Sequence, residues 1–384
     1  MLDNLFNPGK IGNVVINNRI VRSATFMRKA EKYGQVGQAH IDCYKELAEG
    51  GVGLIITGFV SVDPGGTGAP NQACIYDDSF IPGHKKLTKE IHDCSGAKIA
   101  AQLGHTGFQG YHPKYHPIAP SAVFCKITGL TPKEMSIDEI SQVSQCFIDA
   151  GRRAYDCGYD MVQMHAAHGY MLCNFISPYT NKRTDEYGGS IENRTRIFID
   201  IYNGLKDEVG RDFPIIIKQQ TQDFLEDGLM LDEGVKIAEV ISKVGYEAIE
   251  PSGGSGEAFD SANISYPSLV VRKPEDENYF LPTVQKIKSI SHNSKLILMG
   301  GIRNPLSADK LLEDDAVDFI SMSRPLIREP NLPNRWKSGD ITPVKCVSCN
   351  SCYMSMSSGP TYCVVERRLE KKRLRKEKKL NHKN

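Results

Sequence analysis

The chain has 384 residues and carries 47 Lys and Arg against 46 Asp and Glu, a formal net charge of +1, so its charge balance does not call for nucleic acid or another polyanion as partner. Apolar residues make up 40% and charged ones 24%, the proportions of an ordinary globular core. Residues 1–18 carry no charged-then-apolar leader and no apolar run is long enough to span a bilayer, so the expectation is a cytoplasmic protein without a membrane partner.

In chain order, residues 5–19 read as a hairpin closing the bottom of a barrel, turning at Asn17-Asn18. A first strand follows at residues 20–25. Apolar, β-branched runs then recur at residues 52–58, 98–105, 159–164, 214–220, 246–254, 295–301 and 316–323, and read as buried strands. Amphipathic helical stretches separate them. The clearest is 136–156, where Ser136-Ile-Asp-Glu139 forms a capping box and apolar residues recur at Ile140, Val143 and Phe147; 192–209 and 232–244 behave likewise. Eight such units predict an α/β protein with a (β/α)8 TIM barrel over residues 1–340 and a short Cys-rich segment with a basic tail over 341–384. An open doubly wound sheet is the runner-up, but no G-x-G-x-x-G follows a strand. Two long interruptions, 61–79 and 104–135, leave the catalytic side of such a barrel and read as walls or lids; His105 within the second is at most a further polar contact.

The fourth strand breaks into His165-Ala-Ala-His168-Gly169-Tyr170. An H-x-x-H pair can hold a metal, but no neighbouring carboxylate or cysteine offers a third ligand. The alternative is that both rings donate N–H groups to one ligand oxygen, stabilising the charge it gains as a hydride arrives. Tyr170 would then be a general acid.

The longer string HAAHGYMLCNFISPYTNKRTDEYGGSIENR, residues 165–194, resembles the signature of the Old Yellow Enzyme family of FMN-dependent NAD(P)H:flavin oxidoreductases and ene-reductases. The resemblance covers roughly residues 5–336. It implies that His165 and His168 bind an electron-withdrawing oxygen of a small-molecule substrate and that Tyr170 is the proton donor. It also implies FMN as cofactor and NAD(P)H as hydride donor, with an activated alkene or similar acceptor. Ala24 and Thr25 would then give backbone contacts to the flavin. Phe26 stands where the family often has Cys or Thr, so a hydrogen bond that tunes the flavin is missing there.

The flavin phosphate needs an anion site, which Gly300-Gly301 after strand seven and Ser323-Arg324-Pro325 after strand eight would supply; the family uses similar Gly-Gly and Arg-Pro motifs. Lys218, a lone charge in an apolar strand, is costly to bury unless paired, and the family has Arg or Lys there facing flavin N1. Gln102 matches a glutamine that bonds the pyrimidine edge, and Gly58 lies where backbone approaches the ring.

Most of the eleven cysteines read as reduced buried thiols, Cys43, Cys146 and Cys157 among them. Cys346, Cys349 and Cys352 followed by Cys363 stand apart, with a spacing that suits zinc or a 4Fe–4S cluster. Larger relatives resembling dienoyl-CoA reductase and trimethylamine dehydrogenase hold an iron–sulfur cluster on a similar motif whose middle spacing is one residue longer. An electron-transfer flavoprotein subunit and a non-catalytic flavin- or metal-binding protein are therefore the competing readings. The tail, 366–384, is dense in Lys and Arg and reads as a solvated, partly helical terminus. A homo-oligomer is compatible with all of this.

Overall fold

The computed structural model describes residues 2–259, 268–291, 293–356 and 359–381. Eight parallel strands make the centre: β1 (Ile20–Arg22), β2 (Leu54–Ile56), β3 (Lys98–Gly104), β4 (Met161–Ala166), β5 (Ile215–Gln220), β6 (Ala248–Ser252), β7 (Lys295–Met299) and β8 (Phe319–Met322). Each pairs with its neighbours in sequence, β8 returns to β1 through Ile320↔Ile20, and β3 meets β2 through Ile55↔Ile99. The sheet is thereby closed, which leaves no open edge. The strands are shorter than the apolar runs, because the flanking residues of each run turn into the connecting loops.

Helices cover the outside: α1 (Gln38–Glu49), α2 (Ile81–Cys94), α3 (Ile137–Asp156), α4 (Ile191–Val209), α5 (Leu231–Val244), α6 (Leu281–Lys288) and α7 (Pro305–Glu313), with shorter Arg324–Arg328 and Leu332–Lys337 after β8. The outward residues of the strands, such as Ile99, Ala101, Val162, Met164, Ile215 and Ile217, pack on Phe147, Ile197, Phe198, Ile201, Ile237 and Ile241 of the helices. Each fully buried Val, Ile, Met or Phe side chain among them contributes about 1.5–3 kcal/mol. The capping box of α3 forms: Ser136 Oγ accepts from the Glu139 amide at 3.2 Å, and the Ser136 amide donates to Glu139 Oε2 at 2.9 Å.

The inward residues begin with an apolar layer at the bottom: Val21, Leu54, Ile56, Ala100, Met161, Ile216, Ala248, Ile297 and Phe319, joined by Ile11 and Ile16 of the N-terminal hairpin. The hairpin plugs that mouth, but it turns at Gly12-Asn13, between the paired Ile11 and Val14, and not at Asn17-Asn18. Gly12 sits at φ 55, a conformation glycine adopts without cost. Asn18 instead tethers the hairpin to the barrel, accepting from the Ile20 amide at 2.9 Å and donating to the Gly51 carbonyl at 2.9 Å. Among the described residues no helix is long and apolar enough to cross a membrane. The basic tail forms a helix, Val364–Asn381, with exposed charged residues; residues 382–384 lie outside the described residues.

Candidate active site

Above the apolar layer the same inward positions turn polar. Alternation along a strand puts every second residue on one face, so Gln102 follows Ala100, Gln163 follows Met161, Lys218 follows Ile216, Glu250 follows Ala248 and Ser321 follows Phe319. The expectation that Lys218 must be paired is met by Glu250, whose Oε1 lies 2.9 Å from Lys218 Nζ. That oxygen also accepts from Ser23 Oγ at 2.7 Å and Ser321 Oγ at 2.8 Å. Glu250 Oε2 accepts from Gln163 Nε2 at 2.9 Å, and Gln163 Oε1 accepts from Gln102 Nε2 at 2.7 Å. Burial alone would raise the Glu250 carboxyl, but the Lys218 ammonium and the hydrogen bonds from Lys218, Ser23 and Gln163 outweigh it and hold it below its ordinary value.

One step further up lies the rim. His165, next to last in β4, is buried, and the chain then turns through His168 at φ 65. That turn is fixed from below: the His168 amide donates to Gln220 Oε1 at 2.9 Å, and His168 Nε2 lies 2.7 Å from Ser252 Oγ. From the side, Gln109 Nε2 donates to the His168 carbonyl at 2.6 Å. The His165 ring stands 5.2 Å from that of His168 and 5.1 Å from that of Tyr170, centroid to centroid. Phe59 packs edge-on against both His165 and Tyr170, at 5.7 and 5.3 Å. Burial, with Lys218 nearby, pushes the His165 imidazole down to about 3. Burial with the neighbouring His165 and Lys218 pushes His168 well below its usual value. Burial pushes the Tyr170 hydroxyl up to about 12. Both imidazoles are therefore neutral at pH 7 and the phenol keeps its proton. Buried His165 Nδ1 has no partner of its own, which leaves a hydrogen-bonding need for a ligand to meet.

At the ends of β7 and β8 a cleft is lined by Gly300, Gly301, Arg303, Ser323, Arg324 and Ser348, among others. Gly300-Gly301 and Ser323-Arg324, both singled out in the sequence, thus border one cleft, together with Arg303, two residues past Gly301, which the sequence reading did not single out. Arg303 Nη1 donates to the Cys346 carbonyl at 2.5 Å, and Arg324 Nη1 to Asn350 Oδ1 at 2.6 Å. The cysteine segment thus forms the third wall.

The remaining positions have structural explanations as well. Thr25 Oγ1 donates to the Ser23 carbonyl at 2.9 Å and lies 2.7 Å from Ser323 Oγ, and Ala24 packs against the barrel interior. Gly58 is needed where it is, since a Cβ there would stand 2.5 Å from the Thr25 carbonyl oxygen. Its amide is already bonded to Tyr44 Oη at 2.7 Å and is not available to a ligand. The backbone carbonyl of Phe26 accepts from Thr361 Oγ1 at 2.8 Å. His105 Nδ1 accepts from the Gly107 amide of its own loop at 3.0 Å, and its Nε2 lies 3.6 Å from Asp63 of the 61–79 loop.

Cys346, Cys349, Cys352 and Cys363 line a single cavity with Arg324, Ile327 and Val364. Among the described residues, however, no group of three or more His, Cys, Asp or Glu side chains is arranged to hold a metal ion. All four are free thiols.

Gln163, Glu250, Gln220, Arg303 and Phe59 went unnoticed in the sequence, whereas Ser252, in the Ser252-Gly253-Gly254 stretch that reads either as cofactor-facing or as a plain turn, bonds to His168. For Glu250 a signal existed: a second lone charge in an apolar strand, at the same strand parity as Ser252.

The chain as a whole is similar to known proteins. An NADH oxidase of Thermoanaerobacter brockii is 38% identical over 352 residues, 90% of this chain and 53% of that protein. A 4,4'-dithiodibutanoate disulfide reductase of Rhodococcus erythropolis is 29% identical over 393 residues, 94% of each. The solved complex of a 2-naphthoyl-CoA reductase with 2-naphthoyl-CoA superposes with a TM-score of 0.83 at 29% identity, over 91% of this chain and 54% of that one. The chain spans about half the length of the NADH oxidase and of the naphthoyl-CoA reductase, and nearly all of the disulfide reductase. The family model of NADH:flavin oxidoreductases and NADH oxidases matches residues 4–342, most of the chain. The chain belongs to the NADH:flavin oxidoreductase / NADH oxidase family.

Proposed function

We propose that the chain is an FMN-dependent oxidoreductase that takes a hydride from NAD(P)H and passes it to an activated alkene or a similar small-molecule acceptor. The observation that carries this reading is the meeting of His165, His168 and Tyr170 ring to ring at the barrel rim, with Lys218 paired to His165 on the neighbouring strand. The residues fit FMN. Gly300, Gly301, Ser323, Arg324 and the newly found Arg303 would hold its phosphate; Lys218 would face its N1, Gln102 would bond its pyrimidine edge, and Ala24, Thr25 and Gly58 would lie along the ring. Gly58 contributes closeness of approach there, since its amide is spent on Tyr44. Bound FMN would supply the centre that accepts and gives up hydride.

The chain's own part is to bind, orient and protonate. Neutral His165 and His168 donate N–H groups to the acceptor's electron-withdrawing oxygen without placing a full charge beside it. His168 Nε2 is engaged with Ser252, so its Nδ1 is the atom turned to the ligand. Donors fixed in advance stabilise charge that develops on that oxygen at no reorganisation cost. The Tyr170 hydroxyl holds a proton that it releases only to a strongly basic carbon, which suits a general acid. Phe59, edge-on to both, keeps water from that proton.

For the cysteines, we propose a 4Fe–4S cluster in preference to zinc, with residues 341–384 as an appended segment on a flavin-binding barrel of residues 1–340. The four thiols line one cavity, and a cluster would offer each thiolate its own iron. Such a cluster would supply one-electron transfer, and this keeps a role in an electron-transfer complex as the second reading. Iron and acid-labile sulfide in anaerobically purified protein would support it; zinc in their place would end it.

The main test is optical. Protein loaded with FMN should bleach on anaerobic addition of NADH or NADPH and regain its colour on addition of a cyclic enone. A yellow protein that neither nicotinamide bleaches would refute the assignment.

A further inference from the structure

Glu250 is fully buried in the barrel, and neither the hydride path nor the proton donor described above uses it. An ionised carboxylate accepts hydrogen bonds and donates none. Gln163 must therefore turn its Nε2 toward Glu250, which leaves Gln163 Oε1 to face Gln102. Gln102 must in turn offer its Nε2 to Gln163, so Oε1 is left as the free end of the relay. The polarity of two amides is thus dictated by one charge at the end of the chain. The same carboxylate contacts Lys218 at 2.9 Å and takes two serine hydroxyls, so it is held in place from four sides.

We infer that ionised Glu250 is a positioning residue, neutralising Lys218 and fixing Gln102, through Gln163, as a hydrogen-bond acceptor for the imide N–H of the flavin ring. The inference rests on the FMN reading above. An imide edge presents one N–H between two carbonyl oxygens, and an amide oxygen opposite that N–H is the complementary group. Neutralising Lys218 has a separate consequence. A lone ammonium facing N1 of the ring would favour its negatively charged reduced form, and Glu250 removes most of that bias.

The test uses the full-length protein loaded with FMN. Glu250→Gln removes the negative charge and should move the flavin midpoint potential to more positive values by at least a tenfold change in equilibrium constant, about 30 mV for a two-electron couple. Lys218→Met should move it the other way. The double variant should return close to the wild-type potential, because both charges are then absent. An unchanged or more negative potential in Glu250→Gln, or two shifts that fail to cancel in the double variant, would overturn the charge role. The relay is tested by Gln163→Leu, which leaves the Lys218–Glu250 pair intact and also serves if Glu250→Gln does not fold. Wild-type apoprotein should bind FMN at least tenfold more tightly than N3-methyl-FMN. Gln163→Leu should lose that preference while keeping the potential, and full retention of the preference would overturn the relay. A wild-type protein that binds neither flavin overturns the cofactor reading and this inference together. One that binds FMN but shows no effect of Glu250→Gln overturns this inference alone.

Discussion

The two mouths of the barrel are built from the same eight strands and have opposite characters. At the bottom, the apolar side chains of Val21, Leu54, Met161, Ile216, Ile297 and Phe319 close over Ile11 and Ile16 of the hairpin. Two residues further along, the inward positions are Ser23, Gln163, Lys218, Met299 and Ser321, linked by hydrogen bonds that centre on Glu250. Replacing that buried polar layer with packed hydrocarbon would cost the fold little, since buried ion pairs rarely add net stability. The bottom layer serves the fold, and the polar layer adds little to it, which is consistent with the ligand role proposed above.

That division can be broken from either side. The largest effect is expected from Tyr170→Phe, which should slow acceptor reduction about a hundred- to ten-thousand-fold, the usual worth of a general acid. Its thermal unfolding midpoint should match that of wild type; a variant that reduces enones at full speed would remove the acid from the scheme. The opposite change is Ile216→Ala, two residues below Lys218 on the same strand. It should destabilise the fold by about 2–5 kcal/mol in urea titration and leave turnover per folded molecule intact. A large fall in turnover without loss of stability would erase the distinction between the layers.

Acid should weaken the fold through buried imidazoles at the rim and outside the barrel alike. Burial, with His84 and Lys29 nearby, holds His40 at about 3; burial holds His84 at about 4, and burial with Lys218 holds His165 at about 3, against an ordinary value of 6.5. Below 6.5 the unfolded chain takes up protons that the folded chain refuses. The stability is therefore present above pH 6.5 and lost as pH falls toward 4. Each ring contributes up to about 1.4 kcal/mol per pH unit. A urea midpoint that stays level between pH 6.5 and 5 would show that these rings are not held neutral. The smallest effect belongs to Ser136→Ala at the start of α3. It should cost about 1 kcal/mol of stability, read by the same urea titration, with no change in catalysis.

The barrel was legible because its strands, buried on both faces, are written as continuous apolar runs, and the end of such a run marks the rim where His165, His168 and Tyr170 stand. The hairpin turn was misread because two Asn-containing pairs compete. Asn17-Asn18 has the right composition, but Gly12 supplies the positive φ, and Asn18 is drawn away by the Ile20 amide and the Gly51 carbonyl. Glu250 was missed for a different reason. Its value depends on Gln163, Ser23 and Ser321, which lie 87, 227 and 71 residues away and meet only once the barrel closes. Lys218 alone could be recognised as a charge in need of a partner, but not which partner. Likewise the cysteine spacing announced a site, while its position against Arg324 depends on how residues 346–352 fold back over the cleft.

Arg324 is common to two rooms. Its guanidinium borders the glycine-lined cleft on one side and the thiol-lined cavity on the other, and Asn350 of the cysteine loop braces it. A preparation in which that loop has come loose, for instance after oxidation of its thiols, loses the brace and with it part of the neighbouring wall. The shape of the glycine-lined cleft and the preservation of the sulfur-rich corner are thus tied together by a single side chain.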